Sequence, residues 1–434
     1  MFNPIEFIEK KRDGQVHSEE DILHLVNGVM NGSVADYQLS AWLMAAYLNG
    51  LNDDETGYLT KALANSGDTI DYPDDLRIID KHSTGGVGDK TTVILIPLVA
   101  ACGVKISKLS GPGLGFTGGT VDKLESIPGM SVHLTERAFK EQVNRIGCAI
   151  SGHSKQLAPA EGKFYKMRDV TGTVASIPLI SSSIISKKLA GGGNGFIFDV
   201  KCGSGAFMRN IDGAAKLAEN LVSVSKKLGK DTVAIITDME QPLGEWIGNA
   251  VEVYESICVL RGEGPADTRE LCVTFAANML LMAGVCENMQ TSLALCKQSL
   301  DDGSALAKFQ EMVTAQGGAE KLTAAPLDVL PGAKYVYEIY AGDDGYISRL
   351  DARMIGEALR ALGGGRIKQE DKIDPAVAIQ MCAKIGDIVH KNEVVLRVHY
   401  NTKEQLQNAA SYLADCLTIS DRAEKRKLII DYFY

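Results

Sequence analysis

The chain has 434 residues, 45% of them apolar and 23% charged, with a formal net charge of −10. That length exceeds one simple core and implies two or three domains, and an acidic balance with no long basic block speaks against nucleic-acid or anionic-membrane binding. Nine cysteines, with no CxxC pair and no Cys/His metal spacing, imply reduced thiols and a cytoplasmic protein.

The first twelve residues mix acids and bases and are no signal peptide. Residues 1–66 read as a small helical bundle. Asn3-Pro4-Ile5-Glu6 is a capping pattern with Pro at the first helical position, and Gly14 closes that helix. Ser18, Asp36 and Asn52 start three more, with Glu55 completing the pattern begun by Asn52. His17 and His24 fall here as surface or interhelix residues.

Arg77-Ile78-Ile79 reads as a strand feeding a Gly-rich loop. A helix over 90–102 follows, and the apolar run at 93–104 is interrupted by Pro97 and too short to span a bilayer. Then come a strand from Val104 to Leu109, a second Gly-rich loop and a helix from Asp122. A helix from Thr135 and a strand over 148–151 complete the segment. Strand–loop–helix units of this kind predict an α/β sheet with its ligand at the C-terminal ends of the strands.

Residues 159–190 return to helix and end at three glycines, 191–193. Packed on the N-terminal bundle, this segment makes the small domain discontinuous, with linkers suited to a hinge. Strands at 196–200 and 232–237 flank a Gly loop, Lys201 to Gly205, and a helix over 212–228. Further helices fill 243–316. From Tyr335 the texture changes. Val336–Tyr340 is a strand, Asp343–Ile347 resembles a hairpin turn and strand, and 384–398 alternates like a small β-sandwich. This last stretch is similar to the hammerhead-type folds of lipoyl carriers, without a modifiable Lys at a hairpin tip, and His399 falls on its surface. The expected fold is α/β: a small all-α domain (1–66 plus 159–192), a large mixed α/β domain (70–155 plus 193–330) and a C-terminal α+β appendage (335–434).

The chemistry concentrates in the two Gly-rich loops, Asp80–Thr92 and Lys108–Glu125. Glycines let backbone N–H groups turn toward a ligand, hydroxyls and Lys add donors, and Asp89 can cap the following helix. This reads as a cradle for a phosphate-sized anion. A P-loop is rejected, because Asp89 and Thr84 stand where its glycines belong and a carboxylate would repel the phosphates. Lys81, His82, Ser83, Thr92, Ser110 and Thr120 are the candidates here. The helical segment supplies Arg168, Ser183 and Lys187, donors suited to a carbonyl-rich heterocycle. Ser183 and Lys187, four residues apart, share a helix side. Without the loops, Arg168 and Lys187 would read as solvated charges and His82 as a structural hydrogen bonder.

The motifs Lys-His-Ser-Thr-Gly-Gly-Val-Gly-Asp (81–89), Thr-Gly-Gly-Thr-x-Asp-Lys-Leu-Glu-Ser-Ile-Pro-Gly (117–129), Arg-Asp-Val-Thr-x-Thr-Val (168–174) and Ser-Ile-x-Ser-Lys-Lys (183–188) resemble thymidine and pyrimidine-nucleoside phosphorylases. So do 199–208 and 248–253, and the resemblance covers nearly the whole chain. It implies phosphorolysis of a pyrimidine nucleoside to free base and pentose 1-phosphate, by attack of inorganic phosphate at C1′ with inversion. It implies a homodimer, no organic cofactor, and domains that close over the substrates. Lys81, Ser83, Thr92, Lys108, Ser110 and Thr120 would hold phosphate. Arg168, Ser183 and Lys187 would hold the pyrimidine, with His82, Arg168 and Lys187 stabilising charge on the leaving base. A potassium ion in some members implies a site at Gly88, Lys90, Leu243, Trp246 and Glu255, where Lys90 is an odd neighbour for a cation.

Two positions depart from the family pattern. Pro112 replaces an Arg after Ser-Gly, and Phe116 replaces a His before Thr-Gly-Gly-Thr. Loss of the guanidinium removes charge-assisted donors, and Pro deletes an N–H. A working enzyme with shifted substrate preference is expected. The alternatives are a related Mg²⁺-dependent phosphoribosyltransferase, for which no acidic pair stands out, and a nucleoside-binding relative with lost or altered activity.

Overall fold

The structure, a computed structural model, describes residues 2–73, 76–113, 115–154, 156–368 and 370–434. Leu114 of the second Gly-rich loop lies outside them.

Four helices open the chain: α1 (Pro4–Arg12), α2 (Glu19–Asn31), α3 (Asp36–Asn49) and α4 (Asp53–Ala64). Reciprocal capping starts two of them, Ser18 with Asp21 and Asn52 with Glu55. Their apolar faces close over Trp42. The Trp42 indole N–H donates to His17 Nε2 at 3.2 Å, and the His17 ring stacks on Phe7. His17 is therefore a buried interhelix residue.

The central segment contains β1 (Ile79–Ser83), α5 (Thr91–Ala101), β2 (Ile106–Ser110), α6 (Thr120–Glu125), α7 (Glu136–Ile146), β3 (Cys148–Gly152), α8 (Pro159–Thr171) and α9 (Ile177–Ala190). It continues with β4 (Gly195–Cys202), α10 (Ile211–Lys227), β5 (Asp231–Asp238), β6 (Trp246–Ile247), α11 (Asn249–Leu260), α12 (Ala266–Met282), α13 (Met289–Asp301), α14 (Ser304–Ala315) and α15 (Pro326–Val329). Strands β1, β4 and β5 are parallel neighbours, β2 and β3 pair in parallel, and a parallel bridge from Ile78 to Lys105 links the two sets. β4 is buried along its whole length, as a strand covered on both faces must be. Helix α5 is buried all round and inserts between the sheet and α11–α14. Helices α8 and α9 leave the sheet and pack on α2, α3 and α4, with Ala160, Phe164 and Leu179 entering the bundle core.

The C-terminal segment contains β7 (Tyr335–Tyr340), β8 (Gly345–Leu350), α16 (Ala352–Leu359), β9 (Ala378–Met381), β10 (Ile388–Val389), β11 (Val394–Tyr400), α17 (Lys403–Ala414), β12 (Leu417–Ser420) and β13 (Ile429–Phe433). The expected β7–β8 hairpin does not form. β7 pairs with β11, whereas β8 pairs with β10 and β12, so the turn at Asp343–Asp344 passes the chain between two sheets. The last strand, β13, leaves the appendage and pairs antiparallel with β5. His399 is half-buried against Trp246, with ring centroids 5.1 Å apart, and is no surface residue. No described helix is long and apolar enough to cross a membrane.

Candidate active site

Parallel strands carry their loops to the same end, so the two Gly-rich loops meet there. His82 and Ser83 are the last residues of β1, and Ser110 is the last of β2. The strand thus runs further than Arg77-Ile78-Ile79 indicated, and His82 sits on regular structure. The second loop folds tightly: Gly113 N–H donates to Asp122 Oδ2 at 2.6 Å, and Asp122 is held by Arg366 at 2.7 Å. A side chain on Gly119 would collide with the backbone of Pro112 and Gly113. Thr120 begins α6 from this packed turn. Gly85 of the first loop lies against Thr117 and Phe207.

Beneath the first loop is a charged floor. The Lys81 ammonium is fully buried, 3.5 Å from Asp199 and 3.9 Å from Asp89, with the Thr91 hydroxyl beside it. Lys201 pairs with the same Asp199 at 2.8 Å. Asp89 also accepts from Ser83 and from Thr91 N–H. Burial alone would raise the Asp89 pKa, but Lys81, Lys201 and the two hydroxyls outweigh it and hold the carboxyl well below its usual range. An acidic pair that the sequence did not disclose, Asp89 and Asp199, therefore exists, and two lysines neutralise it. Ser83 is tied to Asp89, and Thr92 is buried in the first turn of α5.

A second charged group stands beside it. Asp80 binds Lys188 at 2.7 Å and Lys108 at 3.3 Å. The Lys108 ammonium also donates to the Lys81 carbonyl at 2.5 Å. Burial lowers the Lys108 pKa to about 7; Asp80 opposes that shift and Lys188 adds to it. The same lysines act on His82. Burial first, then Lys188, Lys108, Lys81 and Lys187, push the imidazole well below its ordinary pKa, so it is neutral near pH 7 and donates through one N–H.

The facing wall comes from α8 and α9. Ser183 donates to Glu161 Oε1, and the Lys187 ammonium lies 2.8 Å from Glu161 Oε2 and 5.5 Å from the Tyr165 ring centre. Glu161 is buried. It went unnoticed in the sequence because an acid in the first turn of a helix is ordinary dipole compensation. Arg168 is turned inward. Its guanidinium donates to the carbonyls of Val174 at 2.7 Å and Leu179 at 3.0 Å, and more weakly to Thr173 at 3.5 Å. Three of its five N–H donors thus hold the α8–α9 connection.

The five positions expected around a potassium ion do come together, but they do not fit one. The Lys90 ammonium itself stands among them. It donates to the carbonyls of Trp246 at 2.8 Å and Leu243 at 3.1 Å and to the Glu255 carboxylate. The Gly88 carbonyl accepts from Lys90 N–H. A second cation there would meet a buried like charge.

Phe116 packs on Phe207, with ring centroids 6.1 Å apart, and carries the Arg353 guanidinium of α16 over its face at 5.1 Å. The two departures from the family pattern thus fall in one loop that touches the first loop, the 203–208 loop and the C-terminal segment.

Comparison with known proteins places these elements. The model of the glycosyl transferase family helical bundle domain matches residues 5–67, that of the glycosyl transferase family a/b domain 75–306, and that of the pyrimidine nucleoside phosphorylase C-terminal domain 346–420. The pyrimidine-nucleoside phosphorylase of Geobacillus stearothermophilus is 45% identical over 417 residues, 96% of each chain. That of Staphylococcus aureus (strain bovine RF122 / ET3-1) is 46% identical over 426 residues, 98% of each chain. Anthranilate phosphoribosyltransferase from Thermus thermophilus shares the fold, with a TM-score of 0.59 at 16% identity over 71% of this chain and 99% of that one. A helical bundle, an α/β domain and a C-terminal domain in this order, with end-to-end similarity of this degree, mean that the chain belongs to the pyrimidine-nucleoside phosphorylase family.

Proposed function

We infer that the chain catalyses phosphorolysis of pyrimidine nucleosides, giving free base and pentose 1-phosphate. The observation that carries the reading is the position of His82. It is the last residue but one of the strand that feeds the anion loop, and Lys187 on the opposite wall is among the charges that lower its pKa. A nucleoside spanning that gap would present its base to α8 and α9 and its C1′ to an anion held by the loops.

In this reading phosphate lies over the first turn of α5 and the second loop, where Thr92, Ser110 and Thr120 offer hydroxyls. Lys81 and Lys108 act from below. Lys81, balanced by Asp89 and Asp199, and Lys108, paired with Asp80, leave direct contact to hydroxyls and backbone N–H groups. Phosphate attacks C1′ from the face opposite the base, and the sugar becomes oxocarbenium-like. Negative charge develops on the pyrimidine, where Lys187 and the neutral His82 N–H stabilise it. Ser183 fixes the base edge. Arg168 contributes its remaining N–H groups and holds the connection that carries Leu179 and the start of α9. Closure of α8 and α9 with the bundle onto the sheet domain would exclude water from the oxocarbenium.

We further propose a homodimer through α3, whose Tyr37, Met44 and Leu48 share one exposed face. A cytoplasmic setting accords with nine unpaired cysteines. Phe116, packed on Phe207, puts an aromatic surface where the family pattern has a polar ring, which favours a shifted nucleoside preference. The residue roles are tested by His82→Ala and Lys187→Ala. Each is expected to lose turnover by about 10²-fold or more with unchanged circular dichroism; full activity in both would remove the assignment.

A further inference from the structure

Lys90 is the residue the proposed mechanism leaves unused. Its side chain is fully buried. An ammonium has three N–H donors, and three acceptors surround this one: the Leu243 carbonyl, the Trp246 carbonyl and the Glu255 carboxylate. The wall of the cage is built for it. Gly244 has φ +71°, and a side chain there would collide with Glu255 and come within 2.7 Å of the Lys90 nitrogen. Glu255 also accepts from Glu245 N–H at 2.8 Å and Trp246 N–H at 3.2 Å, so both of its oxygens are engaged. Burial opposes the charge, but Glu255 and Glu252 outweigh it and raise the Lys90 pKa.

The cage sits directly behind the anion loop. Lys90 follows Asp89 and precedes Thr91 and Thr92. A second buried pair one turn away on α11, Glu252 with Lys123 at 3.0 Å, reaches the same place, since Lys123 donates to the Asp89 carbonyl at 2.9 Å. Lys384 holds two further carbonyls of the 242–246 loop, those of Pro242 and Gly244, the latter at 2.8 Å. Carbonyl oxygens converging with one carboxylate on a cation of ammonium size make the donor set of a monovalent metal site. Here the cation is covalently attached.

We propose that Lys90 is a built-in monovalent cation: its ammonium takes the place of a potassium ion in locking the anion loop to the 243–246 loop and α11. A tethered charge is present at all salt compositions, whereas a free ion acts only by mass action. The protein is therefore indifferent to potassium, and removal of the Lys90 side chain converts the cage into a potassium site. Lys90 is a positioning residue in this account, and the activity part of its test rests on the proposed phosphorolysis, while the melting part does not.

The experiment compares the full-length protein with Lys90→Thr in sodium, potassium, ammonium and tetramethylammonium chloride at equal ionic strength. Melting temperature and phosphate-dependent base release are both read. The wild type is expected to vary by less than about twofold in rate and to melt at one temperature in all four salts. Lys90→Thr is expected to lose about tenfold or more in tetramethylammonium, and to regain rate and melting temperature in potassium or ammonium with saturation. A wild type stimulated about fivefold or more by potassium would overturn the proposal, as would a Lys90→Thr protein whose rate and melting temperature both ignore potassium. If Lys90→Thr yields no folded protein in any salt, the wild-type comparison decides alone. If neither protein releases base, the melting temperatures decide, and the failure falls on the phosphorolysis reading.

Discussion

The Lys187 ammonium lies 2.8 Å from the buried carboxylate of Glu161, whose other oxygen accepts from Ser183. One acid on α8 thus orients the two donors that α9 presents to the cleft. The Glu161 contact takes one of the three N–H directions of the ammonium.

Glu161→Gln is expected to raise the nucleoside KM about 10-fold or more, with phosphate KM nearly unchanged, because the two donors lose the charge that aligns them. Steady-state kinetics with each substrate varied separately measures the split. Equal losses for both substrates would mean that Glu161 supports the fold and not the base-side donors.

Arg168→Ala is expected to cost about 1–3 kcal/mol of stability, since the part-buried Val174 carbonyl loses the guanidinium donor that holds the α8–α9 connection. Urea unfolding checks this. Unchanged stability with a large rise in nucleoside KM would place the guanidinium on the base alone.

His82 has a pKa well below its ordinary value because of burial and the surrounding lysines. The sign follows directly: lowering the pKa keeps the ring neutral below pH about 6.5, so the ring does not gain a proton as the pH falls from about 7 to about 6. Lys188→Met removes the first of these charges and is expected to move the His82 titration upward. Proton NMR of the imidazole reads the shift, and a titration left in place would show that Lys188 does not act on the ring.

His17 contributes to the pH dependence of folding. Burial first, then the nearby Lys11 charge, lower its pKa to about 4. A His whose folded pKa lies below the unfolded value near about 6.5 adds stability above that value, which is lost as pH falls toward about 4. The difference in melting temperature between about pH 7 and about pH 4.5 is expected to shrink in His17→Gln, and an unchanged difference would show that the acid sensitivity lies elsewhere.

Local rules made much of this molecule legible. Capping pairs such as Asn52 with Glu55 mark helix starts within the sequence, and the Gly-rich loops mark where strands end because only glycine tolerates such turns. Side-chain direction was not legible. Lys90, beside Thr91 in a loop rich in donors, points away from the cleft because acceptors 153 to 165 residues later surround it. Arg168 and Asp199 were similarly ambiguous: each reads as a ligand by type, and tertiary partners decide what it holds. The β7–β8 hairpin failed because turn chemistry fixes a reversal but not which neighbour pairs. Glu161 carried no signal at all until α9 was laid against α8.

The central claim is that this site breaks a pyrimidine nucleoside with phosphate as nucleophile. Purified protein incubated with thymidine, uridine and deoxyuridine, with and without phosphate, and followed by ultraviolet absorbance tests it most directly. Base release that requires phosphate, with equimolar pentose 1-phosphate, is the predicted result, and the rate order reports the effect of Phe116 and Pro112. No release from any of the three nucleosides in the presence of phosphate would contradict the account.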